Sequence, residues 1–283
     1  MLEAGASYIS IRRVRSTTHA AYNHVLDATW DPRLSKHAAE HAITVNPITA
    51  VPITGHDNMR DRYLNDVELY HYWTLLNSTG QSSLDVAIRA LRVDILLGGQ
   101  RCAQLLSVRL RDVDLSAGTI ALHDQHGRRK TSRAHILPLT THAKVEVAWL
   151  ANRAMSMDSE FLFASKQKNK VLEADTVSHL TTEISRYLIE MKKITEPFQF
   201  RDIRRTTQTG LAALGVSMHV RAQILSLSPS LNRLERKFWL HDCTVQMRDA
   251  LNLWEKHLTR LLSSAPENER PSSDMSWLYA WNR

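Results

Sequence analysis

The sequence predicts a mainly α-helical protein with one small β-hairpin, an α+β chain in which a short helical part precedes a larger domain. Three observations carry this. Apolar residues recur at helical spacing, as in Leu84, Ile88, Leu91 and Ile95. One stretch alternates as paired strands do: Thr119-Ile-Ala-Leu-His, a polar turn around Gly127, then Ala134-His-Ile-Leu-Pro-Leu. The Pro- and Gly-marked connector VNPITAVPITGHDN, over 45–58, reads as a boundary.

Taken in order, residues 1–13 are mixed in character. VRSTTHAAYNHVLDAT predicts a helix over 14–29, and a shorter one follows Pro32, which suits a first helical turn, to about Ala42. Asn65 is placed to cap the next helix, with Glu68 three residues on. A long helix over 83–97 ends at Gly98-Gly99, and a short one spans Cys102 to Leu106. After the hairpin, helices are expected over 141–154, 175–192, 203–214, 217–227 and 244–262. The domain reading is 1–45 helical, 46–64 linker, 65–262 main domain and 263–283 a polar tail with an aromatic cluster.

The 283 residues are 43% hydrophobic and 23% charged, ordinary for a soluble protein with an apolar core. No stretch approaches the roughly 18 apolar residues that span a bilayer, so a membrane role is not expected. Two distant cysteines, Cys102 and Cys243, have no metal spacing and fit a reduced, cytoplasmic setting. The net charge is +7. Its clustering says more than its total. Arg201, Arg204 and Arg205 fall within five residues. From Arg201 to Lys237 seven Arg or Lys, among them Arg236, stand against two acids, Asp202 and Glu235.

Arg201 and Arg204 are three apart and share a helix face, where together they can clamp a tetrahedral anion, while Arg205 points elsewhere. A charge run is more often a solvated surface with local pairs, here to Asp202. Arg101 follows a glycine break and opens a helix, offering a cation and free N–H groups. The hairpin tip Gly127-Arg128-Arg129-Lys130-Thr131-Ser132-Arg133 is basic and fits a groove or a phosphate. His37-Ala-Ala-Glu40-His41 matches a short zinc-peptidase pattern, but no further ligand set is evident and no metal or other cofactor is expected. Tyr70, Tyr72, Trp73 and Trp149 read as packing residues.

Together, in this order and with these spacers, the segments GGQRCAQLLSVRLRDVDLSAGTIAL, RKTSRAHILPLT, FQFRDIRRTTQTGLAALGVS and RKFWLHDCTVQMRDALNLWEKHL resemble the tyrosine recombinase (phage-type integrase) family over about 60–262. The resemblance implies an integrase-like catalytic domain after a truncated helical DNA-binding domain. It implies double-stranded DNA as partner and strand cutting by a tyrosine hydroxyl without metal. Arg101 and Arg204 would hold phosphate oxygens, Lys130 would protonate the leaving oxygen, and Arg201 takes a place where many relatives carry His. Arg128, Arg129, Arg133, Arg205, Arg236 and Lys237 would add DNA contacts.

The sequence departs from the pattern at two places. Anchored on His241-Asp242 and Arg248-Asp249-Ala250-Leu251, the nucleophile position is Phe238, which has no hydroxyl. The histidine position falls at about Leu227. Aligning on Gly-Arg-Arg moves the lysine position from Lys130 to His126. The expectation is a DNA-binding pseudo-recombinase that keeps the phosphate holders. An active recombinase with an atypical nucleophile, such as Tyr279 in the tail or a residue supplied in trans, is the alternative. A structural subunit derived from an integrase is another. The tail is expected to meet a second copy or an active integrase-like partner.

Overall fold

The computed structural model describes residues 7–28, 43–52, 60–78, 84–124, 133–167, 170–226 and 243–263. The chain divides into two compact units, Met1–Arg60 and Asp61–Arg283. In the first, helix α1 spans Tyr8–Ala28. It starts earlier than the expected residue 14, because Ser7 Oγ accepts the Ser10 N–H at 3.2 Å and Ser7 O accepts the Ile11 N–H. It buries no residue and is held by polar contacts instead. Asn46 donates to the His19 carbonyl at 3.0 Å and to Asn23 Oδ1 at 2.6 Å, while its own Oδ1 caps the 3-10 turn Pro47–Ala50. The helix expected over 32–42 lies outside the described residues.

The second unit begins with α2 (Asp66–Ser78). Asn65 Oδ1 accepts the Val67 and Glu68 N–H groups, and Glu68 returns a bond to Asn65 N at 3.0 Å, so the expected cap is a reciprocal box. Next come α3 (Asp85–Leu96), α4 (Cys102–Leu106), strands β1 (Val113–Asp114), β2 (Thr119–Asp124) and β3 (Arg133–Pro138), and helices α5 (Thr141–Ser156), α6 (Ala174–Glu190), α7 (Phe200–Ala213), α8 (Met218–Ile224) and α9 (Cys243–Ser263). The class is the predicted one, mostly helical with a small antiparallel sheet. No helix among the described residues is long and apolar enough to cross a membrane.

Helix α3 is the axle of this unit. Ten of its twelve residues, Val86 to Leu96 except Arg89, are buried, and α2, α4, α5, α6, α7 and α9 all pack on it. A helix apolar on every side belongs inside. Asp94 and Arg92 are the exceptions in kind, and Arg92 is paired. It donates to the Leu76 carbonyl and, with Arg89, to the Glu146 carboxylate of α5, so its charge is matched where water is excluded. Arg89 also lies 3.9 Å above the Trp149 ring. Tyr70, Tyr72 and Trp73 are buried in the core, as packing residues should be.

The expected hairpin forms with Ile120 opposite Leu137 and Leu122 opposite His135, all four inward, while Ile136 faces out. A third strand, β1, adds Val113 opposite Ile120. Two residues are too few to alternate visibly in a sequence.

Helix α7 begins at Phe200, three residues before the expected start. Gln199 N–H donates to Asp202 Oδ2 at 2.9 Å, and the Gln199 side chain caps in return. At its far end Gly210 meets α9 so closely that an added Cβ would lie 2.3 Å from the Trp254 ring. That ring is fully buried and pinned by its Nε1–H on the Ile95 carbonyl at 2.9 Å. We predict that Gly210→Ala lowers unfolding free energy by about 1–3 kcal/mol through overpacking, despite the better helix propensity of alanine. Chemical denaturation would show it, and an unchanged or raised midpoint would refute it.

Candidate phosphate-binding cleft

The end of α3 sets the site. Gly98 and Gly99 both have left-handed backbones, at φ +87° and +79°. Their N–H groups return to the Ile95 and Asp94 carbonyls and close the helix. Glycine is required at 99 for a second reason. A Cβ there would lie 2.6 Å from the Cα of Arg204, so the turn and α7 touch backbone to backbone. The next N–H, of Gln100, donates to the buried Oδ1 of Asp94 at 2.6 Å. The chain then leaves extended at Arg101, whose side chain is exposed.

Arg204 reaches from α7 to the same turn. Its guanidinium donates to the Gly99 carbonyl at 2.7 Å and to the Leu225 carbonyl, just past α8, at 3.0 Å. These two bonds fix its direction. Burial, then the charge of Arg101, lowers its pKa to about 10, with Asp94 pulling the other way. It remains a cation at neutral pH.

The arginines the sequence singled out converge. Arg101, Arg201, Arg204 and Arg205 line one open cleft of about 920 Å³. Arg205 therefore does not point elsewhere, which corrects the helical-spacing expectation; it lines the cleft while pairing with Asp202 at 2.8 Å. The rest of the lining was not foreseen. Asp175, Ser178, His179 and Thr182 follow one another at helical spacing along α6, and Gln208 lies one turn beyond Arg204 on α7. Their only trace in the sequence is a polar stripe on an amphipathic helix, which usually marks plain solvent exposure. Among the described lining residues Asp175 is the sole carboxylate, against four arginines. That excess of positive charge suits an anion.

Nothing described in the cleft is poised as a nucleophile. Cys102 is held protonated, its pKa pushed up to about 12 by burial and then by the charges of Asp94 and Asp175. No tyrosine is among the described lining residues. Among the described residues, no cluster of His, Cys, Asp or Glu is suited to a metal ion. Arg133 opens β3, and only its backbone is described. His126, Arg128, Arg129, Lys130, Leu227, Arg236, Lys237, Phe238 and Tyr279 lie outside the described residues, as do His37, Glu40 and His41.

The profile of the phage integrase family matches residues 69–227, more than half of the chain, which therefore belongs to that family. Solved structures share the fold. An integrase of the Tn1549 transposon, in complex with a circular intermediate DNA, superposes with TM-score 0.59 at 15% identity, over 85% of this chain and 78% of that one. The integrase from mycobacterium phage Brujita does so at 0.51 and 13%, over 90% and 78%. A lambda integrase tetramer bound to a Holliday junction gives 0.51 and 18%, over 82% and 63%. The chain spans 52% of the length of the XerH site-specific recombinase. No protein of curated function matches the sequence.

We predict that Gly99→Ala is destabilising by more than about 1 kcal/mol, because the added methyl meets both a positive φ and the α7 backbone. A thermal melt within error of the parent would contradict this.

Proposed function

We propose that this integrase-family protein binds double-stranded DNA by holding a backbone phosphate in the arginine cleft, and that it does not cut the strand. The observation that supports the reading is the convergence of Arg101, Arg201, Arg204 and Arg205 from two separated segments on one cleft. Two of these, Arg101 and Arg201, are exposed and engage no described residue, so they are available to an anion. Proteins of the same fold are recorded on DNA: the Tn1549 integrase with a circular intermediate, and lambda integrase on a Holliday junction.

The inactive part of the reading rests on the sequence. Phe238 has no oxygen with which to attack phosphorus, and Leu227 has neither proton nor hydrogen bond to give. In this reading 65–262 is the DNA-holding domain of a cytoplasmic protein, Arg128, Arg129, Lys130, Arg133, Arg236 and Lys237 add phosphate contacts, and the 263–283 tail meets a second copy or an active relative.

Duplex binding is expected to weaken steeply with salt. Arg101→Ala and Arg201→Ala should each lower the slope of log K against log salt by roughly one and weaken binding to all sequences alike. Arg204 is a poorer probe, since its loss also orphans two carbonyls. Binding that ignores salt and both substitutions would end the proposal. On a nicked suicide substrate neither the parent nor Phe238→Tyr should yield a covalent protein–DNA product. A covalent band lost in Tyr279→Phe would instead establish an atypical nucleophile.

A further inference from the structure

Behind the arginines sits a carboxyl group that no part of the reading above uses. Asp94 lies on the last turn of α3 and is fully buried. Its Oδ1 accepts the Gln100 N–H at 2.6 Å, one residue before Arg101, and its main-chain carbonyl accepts the Gly99 N–H. Its Oδ2 has no hydrogen-bond partner among the described residues. An ionised carboxylate with a bare oxygen in a dry site is costly unless cations face it. From α7 the group that faces it is Arg204, itself under the field of Arg101. From α2 it is the buried Tyr72 hydroxyl, and from α4 the Cys102 thiol, which Asp175 of α6 also reaches. From α5, Glu146 is engaged by Arg89 and Arg92, and from α9 the neighbour is the neutral Trp254 indole on the Ile95 carbonyl.

Both Tyr72 and Cys102 are held neutral by burial and by Asp94 itself. The balance at Asp94 is thus between the low dielectric around it and the arginines of the cleft. An anion in the cleft changes that balance, because it neutralises the same arginines. We propose that Asp94 is a positioning residue of the cleft and its internal counter-ion. Its carboxyl holds the turn that presents Arg101 and, at alkaline pH where the empty cleft leaves it ionised, takes up one proton from solvent when a phosphate occupies the arginines. When the cleft is empty and the carboxyl is ionised, it competes with the phosphate for Arg204.

The sign follows from the protonation states. Burial raises the free carboxyl to about pH 8, against a backbone hydrogen bond and Arg204, which lower it. Well below that pH it is protonated with the cleft empty or full, and it contributes no pH dependence. Above it, the empty site is ionised and binding must restore a proton, so affinity falls as pH rises. Arg204 releases its proton only near 10.

The inference rests on the arginine cleft being the phosphate site, and the test separates the two. Fluorescence anisotropy of the full chain with a labelled duplex oligonucleotide, at constant ionic strength, would be read from pH 6.5 to 9. The parent should lose roughly tenfold in affinity between pH 7 and 9, as expected for one linked proton. Asp94→Asn keeps the acceptor for Gln100 N–H but cannot ionise, and it should lose less than twofold. Equal losses in the two proteins would overturn the role of Asp94 and leave the cleft standing. Absence of binding at every pH would remove the cleft and this inference with it. If the variant does not fold by circular dichroism, calorimetry of the parent at pH 8.5 in two buffers of different ionisation enthalpy decides the matter. A fractional proton taken up per complex supports the inference, and none overturns it.

Discussion

Two hydrogen bonds from one guanidinium organise the site. Arg204 on α7 donates to the carbonyl of Gly99 after α3 and to that of Leu225 after α8. Three segments far apart in sequence are joined at backbone atoms, whose positions do not depend on side-chain rotamers. The two glycines follow from this constraint. Gly99 lets the α7 backbone come within contact of the turn, and Gly98 does the same for Ile224, 2.4 Å from where its Cβ would be. Arg101 leaves the turn one residue later, so its direction is inherited from the same knot.

Charge is distributed by the same logic of what water reaches. Deep charges are matched: Arg92 and Arg89 share Glu146, and Asp202, 1% exposed, takes Arg205 and the Gln199 N–H. Charges left open lie where an outside anion can meet them, at Arg101 and Arg201. Asp94 belongs to neither group. It is buried, only partly satisfied, and close enough to Arg204 for each to move the other's proton affinity. A buried group in that condition is sensitive to whatever charge arrives beside it.

Much of this was legible in the sequence. The helices, the hairpin and the cap at Asn65 declare themselves by periodicity and turn chemistry. So did Arg101 and Arg204, because the glycine break and the arginine run are local patterns. What the sequence concealed was set at longer range or on too small a scale. The start of α7 at Phe200 depends on a Gln199–Asp202 cap that resembles an ordinary loop. Arg205 follows its helix into the cleft, contrary to a simple wheel. The α6 wall carries residues typical of any solvated face. Asp94 sits inside an apolar run, RVDILL, where one polar letter gives no hint of the arginines opposite.

The Arg204 knot also bears on how such a protein changes over generations. A side chain that only touched the substrate would become dispensable once the reaction ceased to matter. Arg204 cannot drift so freely, because removing it leaves two carbonyls without their donor and loosens the seam between three helices. Its presence in the chain is therefore accounted for by folding before any chemistry is invoked. The exposed Arg101 and Arg201 carry no such structural obligation among the described residues, so substituting either is a purer loss of cleft charge than substituting Arg204.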